Sequence, residues 1–280
     1  MTMPLNLNPS LPSRRDAIIK IATYSILAGS SSAFAQANSS FDHSYAAWDA
    51  LLKNHVKWLP DGKQSRVNYK GFAQDRAKLK NVLDAFSAVP KADFDKWSRE
   101  QQMVFLINSH NAFAIEIILT KYPNLKSIND IGWLLHSTWQ KKFFTLLGEK
   151  RTLDWLADEQ IHTRYNDPRT QIAVNVASIS GPALAPEAFT PVKVYAQMDD
   201  GMARFLSDRT RNRMANGKLE VSQVFSWFVE GNKGPTKLED IFAKYAEQLT
   251  AVPAEREKLK AKSVAVSYLN YDWSLNDVGR

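Results

Sequence analysis

The chain has 280 residues, no cysteine and a formal net charge of +7. Without a thiol it can run no covalent cysteine chemistry, form no disulfide and offer no thiolate to a metal. The basic excess is spread along the length, and its densest patch, Arg204, Arg209, Arg211 and Arg213, is interleaved with Asp199, Asp200 and Asp208; this reads as a solvated helix end and turn and argues against a nucleic-acid partner.

Residues 1–35 differ in kind from the rest. Arg14 and Arg15 precede an apolar stretch from Ala17 to Gly29, and small residues then lead to Ala33-Phe34-Ala35. That order is the layout of an export signal with an A-x-A cleavage site. The apolar stretch is too short, and too interrupted by Lys20, Thr23 and Ser25, to span a membrane. Ser13-Arg14-Arg15-Asp16-Ala17-Ile18 is similar to a twin-arginine signal, with Ala17 where that motif has Phe and its lysine one place late at Lys20. Twin-arginine export and ordinary secretion both stay open, and either one places the mature chain in the periplasm without stable membrane insertion. Arg14, Arg15 and Lys20 against Asp16 account for +2 of the charge. The remainder suits weak attraction to anionic lipid or cell-wall polymer. An exported chain without disulfides is held by packing alone, which the ~240 residues after cleavage allow by burying roughly 70% of their unfolded surface.

After the signal, the stripe Phe41, Tyr45, Trp48, Leu51, Leu52, His55 and Trp58/Leu59 predicts a helix that Pro60-Asp61-Gly62 ends. Val67-Asn68-Tyr69 reads as a short strand and Phe72–Phe86 as a second helix. A long helix follows from about Asp93 to Lys121, broken near Lys96-Trp97-Ser98. Its second part starts at Ser98, which forms a capping-box pattern with Gln101. This part has almost no polar face, so it is expected to be buried on most sides. Phe143–Leu153 suggests a hairpin turning at Gly148-Glu149, and Asp154–His162 a short helix capped by Asp154. Ile172–Val176 alternates like a core strand. Val192–Leu206 is helical, Asn216-Gly217 marks a two-residue hairpin, Ser222–Val229, Leu238–Leu249 and Glu255–Lys260 are helices, and Val264–Tyr271 closes as a strand. No linker divides the chain, so residues 36–280 are expected to form a single α+β domain, mainly helical, with a small mostly antiparallel sheet around a buried central helix.

Chemistry could sit in two places. Asn108-Ser109-His110-Asn111 puts four polar residues inside the apolar helix, where buried amides and imidazoles must find partners; the run either organises the core or faces a cleft. Asn108 and Asn111 lie one turn apart on one side with Glu116 beyond them, and His110 projects elsewhere. Ser178 and Ser180, after the expected strand, are weighed as nucleophiles with His110 or His162 as base. They miss the G-x-S-x-G pattern, and turn chemistry before Pro182 is the plainer reading. His43, His55, His110, His136 and His162 show no metal-helix spacing, and glycine-rich phosphate loops and calcium loops are missing, so no metal or cofactor is expected. The eight tryptophans, Trp48, Trp58 and Trp227 among them, mostly hold helical apolar positions and read as core rather than sugar-stacking surface.

Four blocks occur in order: Phe105–Ala112, Trp139–Phe144, Asp167–Leu184 and Tyr268–Asn276. Together they resemble the family catalogued as domain of unknown function 547, DUF547, over nearly all of Phe41–Asp277. The resemblance implies a histidine where this chain has Gln171, cysteines where it has Val176 and Gly181, an acid followed by histidine at Ala157-Asp158, and tyrosine in place of His110. A valine cannot replace a nucleophile, and glutamine cannot act as a general base. The copy therefore reads as disarmed, a pseudoenzyme that binds a small ligand or envelope partner through Asn108, Asn111, Gln171 and Asn175. The rival readings are a hydrolase using Ser178 or Ser180, and a structural envelope protein.

Overall fold

The apolar run after Ser98 becomes the axis of the fold. The Ser98 hydroxyl accepts from the Gln101 N–H, and the Gln101 side chain accepts from the Ser98 N–H, so the capping box starts helix α5, Arg99–Leu119, as expected. Every residue from Gln102 to Ile115 is buried. By length and composition α5 could cross a membrane, yet the fold encloses it. Ring packing of Phe105 against Phe41, Phe86, Phe94 and Trp97 anchors its first half, and deleting one such buried ring costs about 3–5 kcal/mol.

The computed structural model describes residues 41–132, 138–231 and 236–279. The expected export signal at 1–35 and His136 lie outside these residues. Before α5 the chain forms α1 (Ala46–His55), strands β1 (Val56–Trp58) and β2 (Ser65–Val67), then α2 (Tyr69–Gln74), α3 (Arg76–Ser87) and α4 (Lys91–Phe94). The first helix is shorter than its stripe. Val56 pairs with Val67 and Trp58 with Ser65, so the expected last helical turn is drawn into a hairpin closed by Pro60-Asp61-Gly62. Tyr69 opens a helix instead of ending a strand. The expected second helix is two, divided at Asp75, whose carboxylate binds His55 Nε2 at 2.8 Å and Lys78 Nζ at 2.8 Å.

After α5 come β3 (Phe144–Leu146) and β4 (Glu149–Arg151), joined through Leu147-Gly148, one residue earlier than predicted and with both residues at positive φ. A π-helical segment, Trp155–Thr163, packs on α5; Asp154 makes no side-chain cap there. Then follow α6 (Thr170–Ala173), α7 (Val194–Ser207), β5 (Arg213–Ala215), β6 (Lys218–Val221), α8 (Val224–Gly231), α9 (Leu238–Lys244), α10 (Ala246–Leu249), α11 (Pro253–Lys260) and β7 (Val266–Tyr268). Asn216 and Gly217 both take positive φ, the backbone that a tight two-residue hairpin demands. The closing strand, shorter than predicted, pairs in parallel with β6. The fold is α+β and mainly helical, its strands divided among three small pieces that pair antiparallel apart from β6 with β7.

The expected strand Ile172–Val176 does not form. Thr170–Ala173 is helical and the backbone beyond is extended without a ladder. Side chains take the hydrogen bonds a neighbouring strand would have taken, and the alternation of small and branched residues reflects burial alone. Arg211 also departs from the expected solvated patch: it is 5% exposed, paired with Asp208 at 2.7 Å, and donates to the carbonyls of Gly181 and Lys63. A guanidinium so buried keeps its charge only because these acceptors surround it.

Two groups of apolar side chains form the interior. One surrounds α5 and reaches Met198; the other, Ile172 with side chains from Met202 through Leu259, surrounds β6, α8 and α9, and α7 carries both methionines. Residues 272–278 run as a strap across distant elements. Asn276 accepts from Val67 N–H at 2.9 Å and from the Tyr69 hydroxyl at 2.7 Å, Leu275 donates to Lys126, and Ser274 accepts from Ile179 N–H.

Candidate functional site

The polar run on α5 acts on backbone. Asn108 donates to the Phe189 carbonyl at 2.9 Å and accepts from the Phe189 N–H at 3.2 Å. Asn111 does the same for a second segment, donating to the Ala173 carbonyl at 3.0 Å and accepting from the Asn175 N–H at 2.7 Å. Asn175 in turn accepts from Ala177 N–H. The stretch 184–189 is also held by Ser65 on the Leu184 carbonyl, by Asp49 on Ala188 N–H and by Gln197 on the Ala188 carbonyl. Two irregular buried segments thus have their main-chain groups satisfied by side chains from α1, β2, α5 and α7.

The two candidate bases, His110 and His162, do not bond either candidate serine. His110 is buried, stacks on Trp139 and has only a long contact to Asn111; burial pushes its pKa down to about 4. His162 binds Thr170 Oγ1 through Nδ1 at 2.9 Å, and Thr170 donates to the Asp167 carbonyl. Burial, and then the neighbouring His110, bring His162 down to about 3. Both rings are neutral at pH 7. Ser178 Oγ meets the Tyr271 hydroxyl at 2.6 Å, and Ser180 Oγ accepts from Asp272 N–H; neither touches a histidine. Gln171, half-buried, sits on α6. Among the described residues, no three His, Asp or Glu side chains converge as a metal would require.

A cavity of about 480 Å³ opens beside the two pinned segments. Ile172, Ala173, Phe189, Met198 and Phe205 form an apolar floor, and Trp58, Ala183, Pro186 and Ala196 complete the walls. Lys53, Lys63, Lys193 and Arg204 line it against Glu187 and Asp200. Asn108 and Asn111 stay out of the cavity, but each bonds the main chain of a residue that lines it, Phe189 and Ala173 respectively. None of Asn108, Asn111, Gln171, Asn175, Ser178, Ser180 or His110 lines it. The lining residues had no sequence motif to betray them, being scattered from Lys53 to Phe205; the pattern that could have been noticed is Asp200 with Arg204 one turn apart, which ion-pair at 2.6 Å.

Comparison with protein families gives one finding: residues 94–206 match the family described as "Protein of unknown function, DUF547". This segment is similar to DUF547. The match is narrower than the four blocks suggested, covering α5 through most of α7 and leaving Tyr268–Asn276 outside. No curated protein and no solved structure matches the chain. The DUF547 segment supplies the hooks Asn108 and Asn111, the cavity floor, Lys193 and Arg204. Trp58 and Lys63, on the β1–β2 hairpin, reach the same cavity from before the match.

Proposed function

We propose that the protein is an exported, periplasmic and non-catalytic DUF547 member that holds a small ligand in the cavity between the β1–β2 hairpin, the 183–189 segment and α7. The cavity carries this reading. Its volume of about 480 Å³ lies in the range of small-molecule sites, and an apolar floor with a few polar groups is the usual lining of one. The loss of activity is inferred from chemistry: the chain has no thiol, the Thr170 hydroxyl beside His162 is spent on the Asp167 carbonyl, and Ser178 is engaged by a tyrosine. The leader supports export, because Arg14, Arg15 and the apolar stretch before Ala33-Phe34-Ala35 have the order of a signal.

Two measurements test the reading together. Purified protein is expected to give no turnover on ester, amide and peptide libraries and no serine label from a fluorophosphonate probe. Native mass spectrometry of protein prepared from the cell envelope is expected to show a bound small molecule, lost when Ala196→Trp fills the cavity. Turnover that disappears in Ser178→Ala would establish the hydrolase instead, and an empty cavity in every preparation would favour the purely structural role.

A further inference from the structure

We infer that this cavity selects a soluble amphipathic anion, a carboxylate or phosphate monoester carrying an apolar body. The inference rests on the cavity reading above and adds the ligand's chemical class.

The charges of the lining are unevenly committed. Lys53 is paired with Asp49 at 2.5 Å and also feels Glu187. Arg204 is paired with Asp200 at 2.6 Å, donates to the Gly62 carbonyl at 2.7 Å and lies 4.9 Å over the Trp58 ring. Lys63 and Lys193 make no ion pair among the described residues; with Lys53 matched by Asp49 and Arg204 by Asp200, only Glu187 stands against them, and the lining keeps an excess of one positive charge. Lys63 is well placed to stay: its N–H binds Asp61 and its carbonyl takes the buried Arg211. Lys193 stands at the N-cap of α7, where the helix dipole adds to its positive charge.

The floor has the opposite character. Above the buried Phe205, Met198, Ile172 and Phe189, the half-buried Trp58, Ala183, Ala185 and Pro186 leave apolar surface open to the cavity. A bare inorganic anion would satisfy the positive excess and leave the apolar walls wet, while a neutral hydrocarbon would cover the walls and leave that excess unmet. A molecule with both parts satisfies both. A cavity of this volume takes a drug-sized body, which a two-chain lipid exceeds, so the proposal commits to a soluble ligand.

The test titrates the purified full chain by calorimetry with octyl phosphate, octanoate, octanol and inorganic phosphate. Octyl phosphate and octanoate are expected to bind about tenfold or more tighter than octanol or inorganic phosphate, with an affinity that falls as salt is raised. Lys63→Gln combined with Lys193→Gln is expected to remove that preference and leave octanol binding unchanged, which also shows that the variant is folded. Octanol binding as tightly as the anions, or anion affinity that survives the double change, overturns the inference and leaves the cavity reading intact. Inorganic phosphate matching octyl phosphate overturns the apolar half, and displacement of octyl phosphate by phosphatidylglycerol vesicles overturns the soluble ligand. If neither anionic probe binds, the inference falls; if the native spectra also show no bound molecule, the reading it rests on falls with it.

Discussion

Single positions carry more chemistry than their neighbours suggest. A Cβ built on Gly181 would lie 2.4 Å from Val176 Cγ2 and 2.9 Å from Ser178 Oγ. The two places where the family resemblance implies cysteines are therefore side by side. Val176→Cys with Gly181→Cys is expected to close a disulfide on mild oxidation, leaving no thiol for a titrating reagent; two titratable thiols after oxidation would refute it. The loop is short, so the gain should be about 2 kcal/mol at most. Gly181→Ala alone should cost about 1–3 kcal/mol, because its methyl meets Val176. The histidines set the acid limit. Folded His110 and His162 titrate at about 4 and about 3 against 6.5 for an ordinary imidazole, so the unfolded chain binds more protons, and their stabilisation is present above pH 6.5 and lost as pH falls toward 4. Asp154 acts oppositely: burial and Asp158 raise it to about 6, so its contribution is lost as pH rises through 6. Thermal melts should drop steeply below pH 6, and His110→Leu should flatten that drop; an unchanged acid slope would remove His110 from this role. The sequence made the buried polarity of Asn108, His110 and Asn111 legible, but the backbone partners of the two asparagines, 62 and 81 residues away, left no local mark.

Among the elements, what was local was readable. The Ser98–Gln101 cap, the Asn216-Gly217 hairpin and the stripe of α7 all follow from interactions within a few residues. The 172–176 segment was misread because a strand is defined by its neighbour, and here the partner is a single asparagine, Asn111 on α5. The same physics gives a prediction. Asn108→Ala leaves both the N–H and the carbonyl of buried Phe189 without a partner, which should cost about 2–4 kcal/mol in denaturant unfolding. Asn108→Asp keeps an acceptor for the N–H but faces the carbonyl with a charge, and should be no better. A loss below ~0.5 kcal/mol in Asn108→Ala would show that Ser65, Asp49 and Gln197 hold the 184–189 segment without it. The cavity was invisible for a related reason, since Trp58 and Lys63 reach it from a hairpin that the helical stripe had concealed.

At the scale of the whole molecule, the strap at 272–278 joins β2, α2, the turn after α5 and the segment after Ala177. Removing residues 272–280 takes away the partners of Val67, Tyr69, Lys126 and Ile179 at once. The shortened chain is expected to lose the cooperative thermal transition and become protease-sensitive, and a melting temperature within a few degrees of the full chain would show the strap to be dispensable. Helix α5 has another consequence, one that concerns the time before folding. Its 21 residues include a window as apolar as a bilayer-crossing segment, and they are hidden only once the rest of the chain has gathered round them. A polypeptide threaded through a translocation channel in extended form would present this stretch to lipid as a stop signal. One that matured in the cytosol first would carry it across already wrapped. Whatever the route, the sequence that makes the interior dry also makes the nascent chain a hazard, and a chaperone or prompt folding has to keep it from the membrane.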